Sequence, residues 1–447
     1  RHGLEQAKKF SWDESAKRAI SAFERLYAKQ PRQNGSAQGK LIYPELAPPL
    51  IENIAKIGTT SFSEEEFLRI AQAIDQNYPS STKKQLLVDI SQLVNIDSKT
   101  GIQRVVRSIL KELLINQPQG FRVEPVYATP HEAGYRYARQ FILKFLGRPE
   151  QSLEDAPVNA FNGDIFLGLD LQHHVVLQQA PTYAHLRRIG VQVHFVVYDL
   201  LPVLLPKVFP DYMPSLHAQW LSGLAQTDGV LCISRAVADD MAEWLTVFGP
   251  ERLRPLKLGW FHLGADVSGS VPTRGLSADA GLVLSALSSR PTFLMVGTIE
   301  PRKGQMQTLA AFERLWDQGV DVNLVMVGKN GWNVDLLVEM LRIHSERNKR
   351  LFWLEGASDE YLEKVYAAST CLIAASEGEG FGLPLIEAAQ HKNACNAGAV
   401  AATIAAAAAL GASQGVLLEH TTSAEVLGGK SGAEMADSVG YAGIVFK

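Results

Sequence analysis

Short apolar segments alternate with amphipathic ones along this chain, and the alternation starts twice. QLLVDIS (85–91) opens the first run and leads into IQRVVRSILKELL (102–114), where Ile102, Val105, Val106, Ile109, Leu110 and Leu113 recur at helical spacing. FRVEPVYA (121–128) and DIFLGLD (164–170) read as strands, with a helix near 174–188. VQVHFVVYDLLP (191–202) is a buried strand ending in a Pro-containing loop, and GVLCIS (229–234) precedes the Ser234-capped helix RAVADDMAEWL (235–245). The second run has strands PTFLMVGT (291–298), VNLVMVG (322–328), LFWLEG (351–356) and CLIAAS (371–376). Helices follow over 305–318, over 334–347, after Ser358 and from LPLIEAA (383–389). This order predicts α/β halves, each a parallel sheet covered by helices. The halves are expected at 85–270 and 288–392, with PTRGLSADAG (272–281) as hinge. Such sheets bind ligands at the carboxyl ends of their strands, so a cleft between two facing halves is where a site belongs.

At 447 residues the chain is long enough for two or three cores. Its net charge of −4 supplies no basic face, and a nucleic-acid partner is not expected. Cys232, Cys371 and Cys395 show no metal-ligand spacing, their odd count argues against a disulfide framework, and a cytoplasmic setting fits them. No run approaches the roughly 18 apolar residues of a membrane span. The mixed aromatic and basic stretch GYRYARQFILKFLGR (134–148) reads either as an amphipathic helix on a core or as a peripheral contact with a membrane, at the inner face of the cell membrane.

Residues 1–30 read as helical, with Ser11 as N-cap and Glu14 completing a capping box, and PRQNGSAQGK (31–40) reads as a linker. Ser63 caps a further helix over 62–77, so 31–84 is linker plus helix. The polar start has no signal-peptide core and no initiator Met, as an excerpt of a longer protein would.

The segment richest in chemistry is SEGEGFGLPLIEAA (376–389). Gly380, Phe381 and Gly382 stand between a strand and a helix, where exposed backbone N–H groups and the helix dipole favour a phosphate. Pro384 falls in the first helical turn, where its missing N–H costs little. Glu379 and Glu387 flank the turn, and Glu387 could accept hydrogen bonds from ribose hydroxyls. The other reading is a tight turn with two surface carboxylates.

EGFGLPLIEA resembles the signature of glycosyltransferase family 4, whose members have the GT-B fold of two facing Rossmann-like domains and transfer sugars with retention. The resemblance covers most of 85–392, including GTIEPRKGQ (297–305), VGKNGW (327–332), SDEYLEKVYAAS (358–369) and HLGAD (262–266). It implies that Lys303, with Arg302 beside it, holds the donor diphosphate, that Glu379 orients the donor sugar, and that Gly297 opens the phosphate loop. TGIQRVV (100–106) resembles the Gly loop of the first half, where Gly101 brings backbone close to donor or acceptor. Together with YDLLP these segments are most similar to bacterial mannosyltransferases of surface-polysaccharide and O-antigen assembly, which implies GDP-mannose as donor and a saccharide or lipid-linked saccharide as acceptor. No D-x-D motif or ligand-spaced His/Cys cluster occurs, so metal-independent transfer without a cofactor is expected, with Lys303, Arg302 and helix N-termini neutralising the leaving diphosphate.

The chain also departs from the family. Thr298 stands where many members carry Arg, and Tyr198-Asp199 stands where many carry His-Asp. Asp199, at a strand's carboxyl end, is either a site residue or a loop-fixing cap, and His194 reads as a core residue. RHGLEQAKKFSWDESAKRAISAFERL (1–26) resembles the closing helices of a family domain, implying the tail of a preceding one. The Ala-rich 393–447 departs from the pattern and leaves the 288–392 half incomplete by the family's measure; it reads either as a frameshifted or artificial end or as a real but divergent one. Two rivals to a transferase stand: a non-catalytic nucleotide-sugar or polysaccharide-binding module, and a sugar-nucleotide epimerase.

Overall fold

The structure, a computed structural model, describes residues 83–97, 100–129, 131–148, 153–252, 255–264, 273–390, 415–422 and 440–446, together with Arg18, Ser63, Glu66, Arg69 and Ile70. Expectations for Ser11, Glu14, the linker 31–40 and 393–414 lie outside these residues. Ser63 and Glu66 exchange the reciprocal bonds of a capping box: Ser63 N donates to Glu66 Oε2 (2.8 Å) and Glu66 N to Ser63 Oγ (3.3 Å).

The first run forms β1 (Lys84–Asp89), α1 (Ser91–Asn95), α2 (Gly101–Ile115), β2 (Phe121–Tyr127), β3 (Arg136–Tyr137), α3 (Arg139–Phe145), β4 (Ile165–Gly168), α4 (His173–Gln178), α5 (Ala180–Arg188) and β5 (Gln192–Val197). It continues with α6 (Leu201–Leu204), α7 (Met213–Leu224), β6 (Gly229–Cys232), α8 (Arg235–Phe248) and β7 (Lys257–Trp260). The sheet order is β3-β2-β1-β4-β5-β6-β7, parallel except for the short edge strand β3. β1 is buried along its whole length after Lys84, because helices cover both its faces.

The second run forms α9 (Ala280–Ser288), β8 (Thr292–Val296), α10 (Gln305–Asp317), β9 (Asn323–Val327), α11 (Asp335–Ile343), β10 (Leu351–Leu354), α12 (Asp359–Ala368), β11 (Cys371–Leu372) and α13 (Leu383–Gln390). Its sheet is fully parallel, in the order β10-β9-β8-β11. One core cluster packs around Leu309, Phe312 and Leu324, and another around Leu287, Val325 and Tyr366. β12 (Gly415–Thr422) and β13 (Gly440–Phe446) pair as an antiparallel ribbon.

Strand order locates the crevices. In the second sheet the chain winds outward from β8 to β10 and then returns to β11 on the other side of β8, so β8 and β11 flank a topological switch point. In the first sheet β1 and β4 flank another. The loops leaving paired strands at such points diverge and open a ligand crevice.

Several elements differ from the expectation. The helix near 174–188 is two helices: Pro181 lacks the N–H that would continue the ladder, and the Gln179 side chain is held by Gly134 N and Glu132 O (2.7 Å each). The helix expected over 334–347 stops at Ile343, where His344 Nδ1 accepts from Glu346 N at 3.1 Å and turns the chain. Residues 134–148 divide into β3 and the seven-residue α3 rather than one amphipathic helix, with Tyr135 and Tyr137 buried. β7, α7 and α9 were not expected. α9 begins within the segment expected as hinge, yet buries Ala280 and Leu287 against the second sheet.

Candidate active site

The loops after β8 and β11 carry the GTIEPRKGQ and SEGEGFG segments, and the switch point brings them together. After β8, residues Pro301–Lys303 form a 3-10 turn that ends at Gly304 in the left-handed conformation, with φ 71°. A Cβ on Gly304 would lie 2.6 Å from the Ala375 carbonyl oxygen, so only glycine lets the two loops touch. Glu377 N donates to Arg302 O at 2.8 Å and locks the contact.

Lys303, 9% exposed, pairs with the Glu379 carboxylate. Arg302 donates to Gly378 O and to Glu300 Oε1, each at 2.7 Å, and lies 3.6 Å from Glu379 Oε2. Burial pushes the Glu379 carboxyl up, but the Lys303 ammonium, a Ser376 hydrogen bond and Arg302 together hold it below the usual carboxylate range. Burial raises Glu300 and Asp199 against the pull of the same two cations. Gly297, at φ 141°, lies beside the Lys303 stem: a Cβ there would meet Cε at 3.3 Å. A small pocket opens between the loops, lined by Lys303, Gln305, Ser376, Glu379, Pro384 and Leu385. The buried Gln305 Oε1 has no hydrogen-bond partner among the described residues.

The Gly-rich loop is also seated in the first half. A Cβ on Gly380 would lie 2.3 Å from Tyr198 O and 3.3 Å from Asp199 Cβ. Ser234 Oγ caps α8 by accepting from Val237 N (3.2 Å) and donates to Gly380 O (2.8 Å), so one hydroxyl serves both halves. Phe381 packs on the first core and sits 5.9 Å from the His262 ring. Gly382 has φ 80°, the left-handed turn that starts α13. Farther along the cleft, Phe209 stacks on Trp332 at 5.4 Å, and Trp332 Nε1 donates to Val208 O.

Six expected residues therefore meet: Lys303, Arg302, Glu379, Asp199, Gly297 and Gly380. Glu387 stands apart. It is 1% exposed, pairs with Arg104 of α2, and accepts from Tyr366 OH at 2.9 Å. Gly101 is the first residue of α2, capped by Thr100, and a Cβ there would meet nothing within 4 Å. What reaches the second half from this motif is Arg104, one turn further on, which also lies 3.5 Å from Asp359. Tyr198, which stands where many family members carry His, points inward and donates to Leu169 O. His194 is a core residue, 2% exposed, with burial lowering its pKa to about 4. Arg104, Glu300, Ser234 and Tyr366 were not foreseen. Glu300 and Arg104 lie inside the quoted motifs, but their pairing depends on tertiary approach. Among the described residues no His, Cys, Asp and Glu cluster of three or more has the makings of a metal site.

Two parallel sheets that face their strand ends across a cleft, with a Gly-rich loop and a Lys-Arg pair at one switch point, define a GT-B-type α/β protein. Residues 284–427 match the family of glycosyl transferases group 1. It is 43% identical to the serotype-specific mannosyltransferase WbdA of Escherichia coli over 397 residues, 88% of this chain and 47% of that protein. It is 35% identical to the O-antigen chain mannosyltransferase B of Escherichia coli over 99 residues, 21% of this chain and 25% of that one. The crystal structure of HepE from Anabaena in complex with UDP aligns over 68% of this chain and 78% of that chain, with 15% identity and a TM-score of 0.42. The chain spans about half the length of the full-length WbdA proteins it matches.

Proposed function

We propose that this chain is a retaining mannosyltransferase that moves mannose from GDP-mannose to a saccharide or lipid-linked saccharide acceptor in O-antigen assembly. The observation that carries the reading is the pairing of Lys303 and Arg302 with Glu379 across the switch point of the second sheet. The half built on that sheet, 288–392, is the nucleotide-sugar domain, and 85–270 is the acceptor domain. The leaving diphosphate gathers charge as the sugar–phosphate bond breaks, and the two fixed cations neutralise it. Glu379, freed from part of its ion pair when phosphate arrives on Lys303, orients the donor sugar. Asp199 faces it from the first half. Backbone of Gly380, Phe381 and Gly382 lies against the diphosphate, and Glu387 receives the ribose hydroxyls once Arg104 yields. The leaving phosphate takes the acceptor's proton on the same face, so the protein's contribution is positioning and electrostatics. The reaction needs no metal, and it takes place in the cytoplasm, at the inner face of the cell membrane if the acceptor is lipid-linked.

The test is incubation with GDP-mannose, with and without a manno-oligosaccharide acceptor, followed by product analysis. An elongated saccharide carrying an α-linked mannose supports the reading. A new nucleotide sugar formed from donor alone would make the protein an epimerase, and nucleotide binding without either product would make it a binding module.

A further inference from the structure

The first sheet has its own switch point, between β1 and β4, and the residues just past β4 do not enter the site described above. His173 is the first residue of α4, immediately beyond that point. Its Nε2 lies 2.9 Å from Nδ1 of His217 on α7, and His217 Nε2 lies 3.2 Å from the backbone oxygen of Asp199. Both rings pack on Trp220, at centroid distances of 5.5 and 5.0 Å.

This chain of atoms allows one proton arrangement. A carbonyl oxygen only accepts, so His217 Nε2 carries the hydrogen. Burial holds both imidazoles neutral, lowering His173 to about 4 and His217 to about 3, with each also penalised by a neighbouring histidine. A neutral His217 protonated at Nε2 has a bare Nδ1, which must accept, so His173 Nε2 is the donor. His173 Nδ1 is then a bare lone pair. His173 is only half-buried, and its one hydrogen bond to another side chain uses Nε2, which leaves Nδ1 for a ligand. His217, 2% exposed, cannot reorient to release the arrangement.

We propose that His173 is a substrate-binding residue whose Nδ1 accepts a hydrogen bond from a hydroxyl of the acceptor saccharide. His217 acts through it as a positioning residue, anchored on Asp199. The proposal rests on the saccharide-acceptor reading above. A neutral lone pair fixed at a sheet switch point suits a sugar hydroxyl, which donates readily and carries no charge. The same relay ties the acceptor subsite to the Asp199 loop, on which Gly380 of the other half rests.

Long-range proton–nitrogen NMR of the wild-type chain, with mannotetraose as probe, tests the idea without requiring turnover. The expected result is the Nε2–H tautomer for both histidines at neutral pH, with His173 Nδ1 shifting when mannotetraose is added. A His173 protonated at Nδ1, a charged His173, or a His173 signal that ignores the saccharide overturns the proposal. His173→Phe should weaken mannotetraose binding about tenfold and leave GDP affinity unchanged. His217→Gln, which can still donate to Asp199 O and accept from His173, should retain most of the saccharide binding, whereas His217→Phe should lose it. Equal loss in both His217 variants also overturns it. If GDP fails to bind while His173 still answers to the saccharide, the donor reading fails and this subsite stands.

Discussion

The Arg104 guanidinium and the Glu387 carboxylate form an ion pair across the cleft, joining α2 of the first half to α13 of the second. Glu387 is 1% exposed, and its second oxygen is held by Tyr366. With both oxygens occupied and no solvent access, this carboxylate cannot meet a ribose until Arg104 moves. If Glu387 is the ribose ligand proposed above, the pair competes with the nucleotide.

Two substitutions should move affinity in opposite directions. Glu387→Ala removes the charge-assisted bonds to ribose and should weaken GDP binding by roughly 1.5–3 kcal/mol. Arg104→Ala removes the competitor and leaves a desolvated carboxylate that favours opening of the halves. It should tighten GDP binding by roughly three- to tenfold, or about 1 kcal/mol. Calorimetry decides, and weaker GDP binding by Arg104→Ala would make that residue a ligand contact instead of a competitor.

Lys303→Ala should lower turnover by about 10²–10³, the scale of losing one preorganised electrostatic donor. Donor affinity should fall less, because the ammonium matters most when the diphosphate carries its full leaving charge. Steady-state kinetics with GDP-mannose separates the two parameters. A raised Michaelis constant at normal turnover would assign Lys303 to ground-state binding.

Gly380→Ala should lower the rate of transfer. The new methyl would lie 2.3 Å from the Tyr198 carbonyl oxygen, a backbone atom that cannot swing aside. The loop must lift from Asp199, and a displacement on the order of 1 Å in the site costs roughly 10²-fold in rate. Circular dichroism should remain that of the wild type. An alanine variant with normal kcat/KM would show that the Gly380–Tyr198 contact is absent during turnover.

Metal chelation gives an independent check. If Lys303 and Arg302 neutralise the leaving group as proposed, transfer should continue in excess EDTA. Activity lost to EDTA and restored by Mg²⁺ or Mn²⁺ would reject that division of labour.

Stability should depend on pH through two carboxyls beneath the first switch point. Burial raises Asp89 to about 6 and Asp170 to about 7 from 3.8, against hydrogen bonds from Ser91 and Tyr135 to the former and from Leu93 N and Leu171 N to the latter. A folded pKa above the unfolded one means that the native state holds the proton more tightly. The resulting stability is full below 3.8 and is lost as pH rises through about 6 and 7. The unfolding free energy of wild type relative to Asp170→Asn should therefore fall from pH 4 to pH 7.5, by about 1 kcal/mol per pH unit inside the window, as denaturant titrations at each pH would show. A constant difference would mean that Asp170 is ionised throughout.

Periodicity and local chemistry were enough to read the elements that frame this cleft. The apolar runs at 85–91, 191–202 and 322–328 became strands because β-branched, uninterrupted segments suit a sheet covered on both faces. Ser234 was legible as a helix cap, since an N-cap bond spans only three residues. The Glu379 loop was legible because Gly, Pro and charge recur there within a few positions, and the Lys303 loop through its resemblance to the family's phosphate-binding stretch. Only the tertiary structure decided the partners. Arg104 and Glu387 are 283 residues apart, and Ser234 and Gly380 are 146 apart, so no local pattern links them. The division of 174–188 into two helices likewise depended on Gln179 being captured by backbone 45 residues away. Helix and strand propensities act over one or two turns, whereas the charges in this cleft are paired by strand order. Strand order follows from how two sheets bury their faces together.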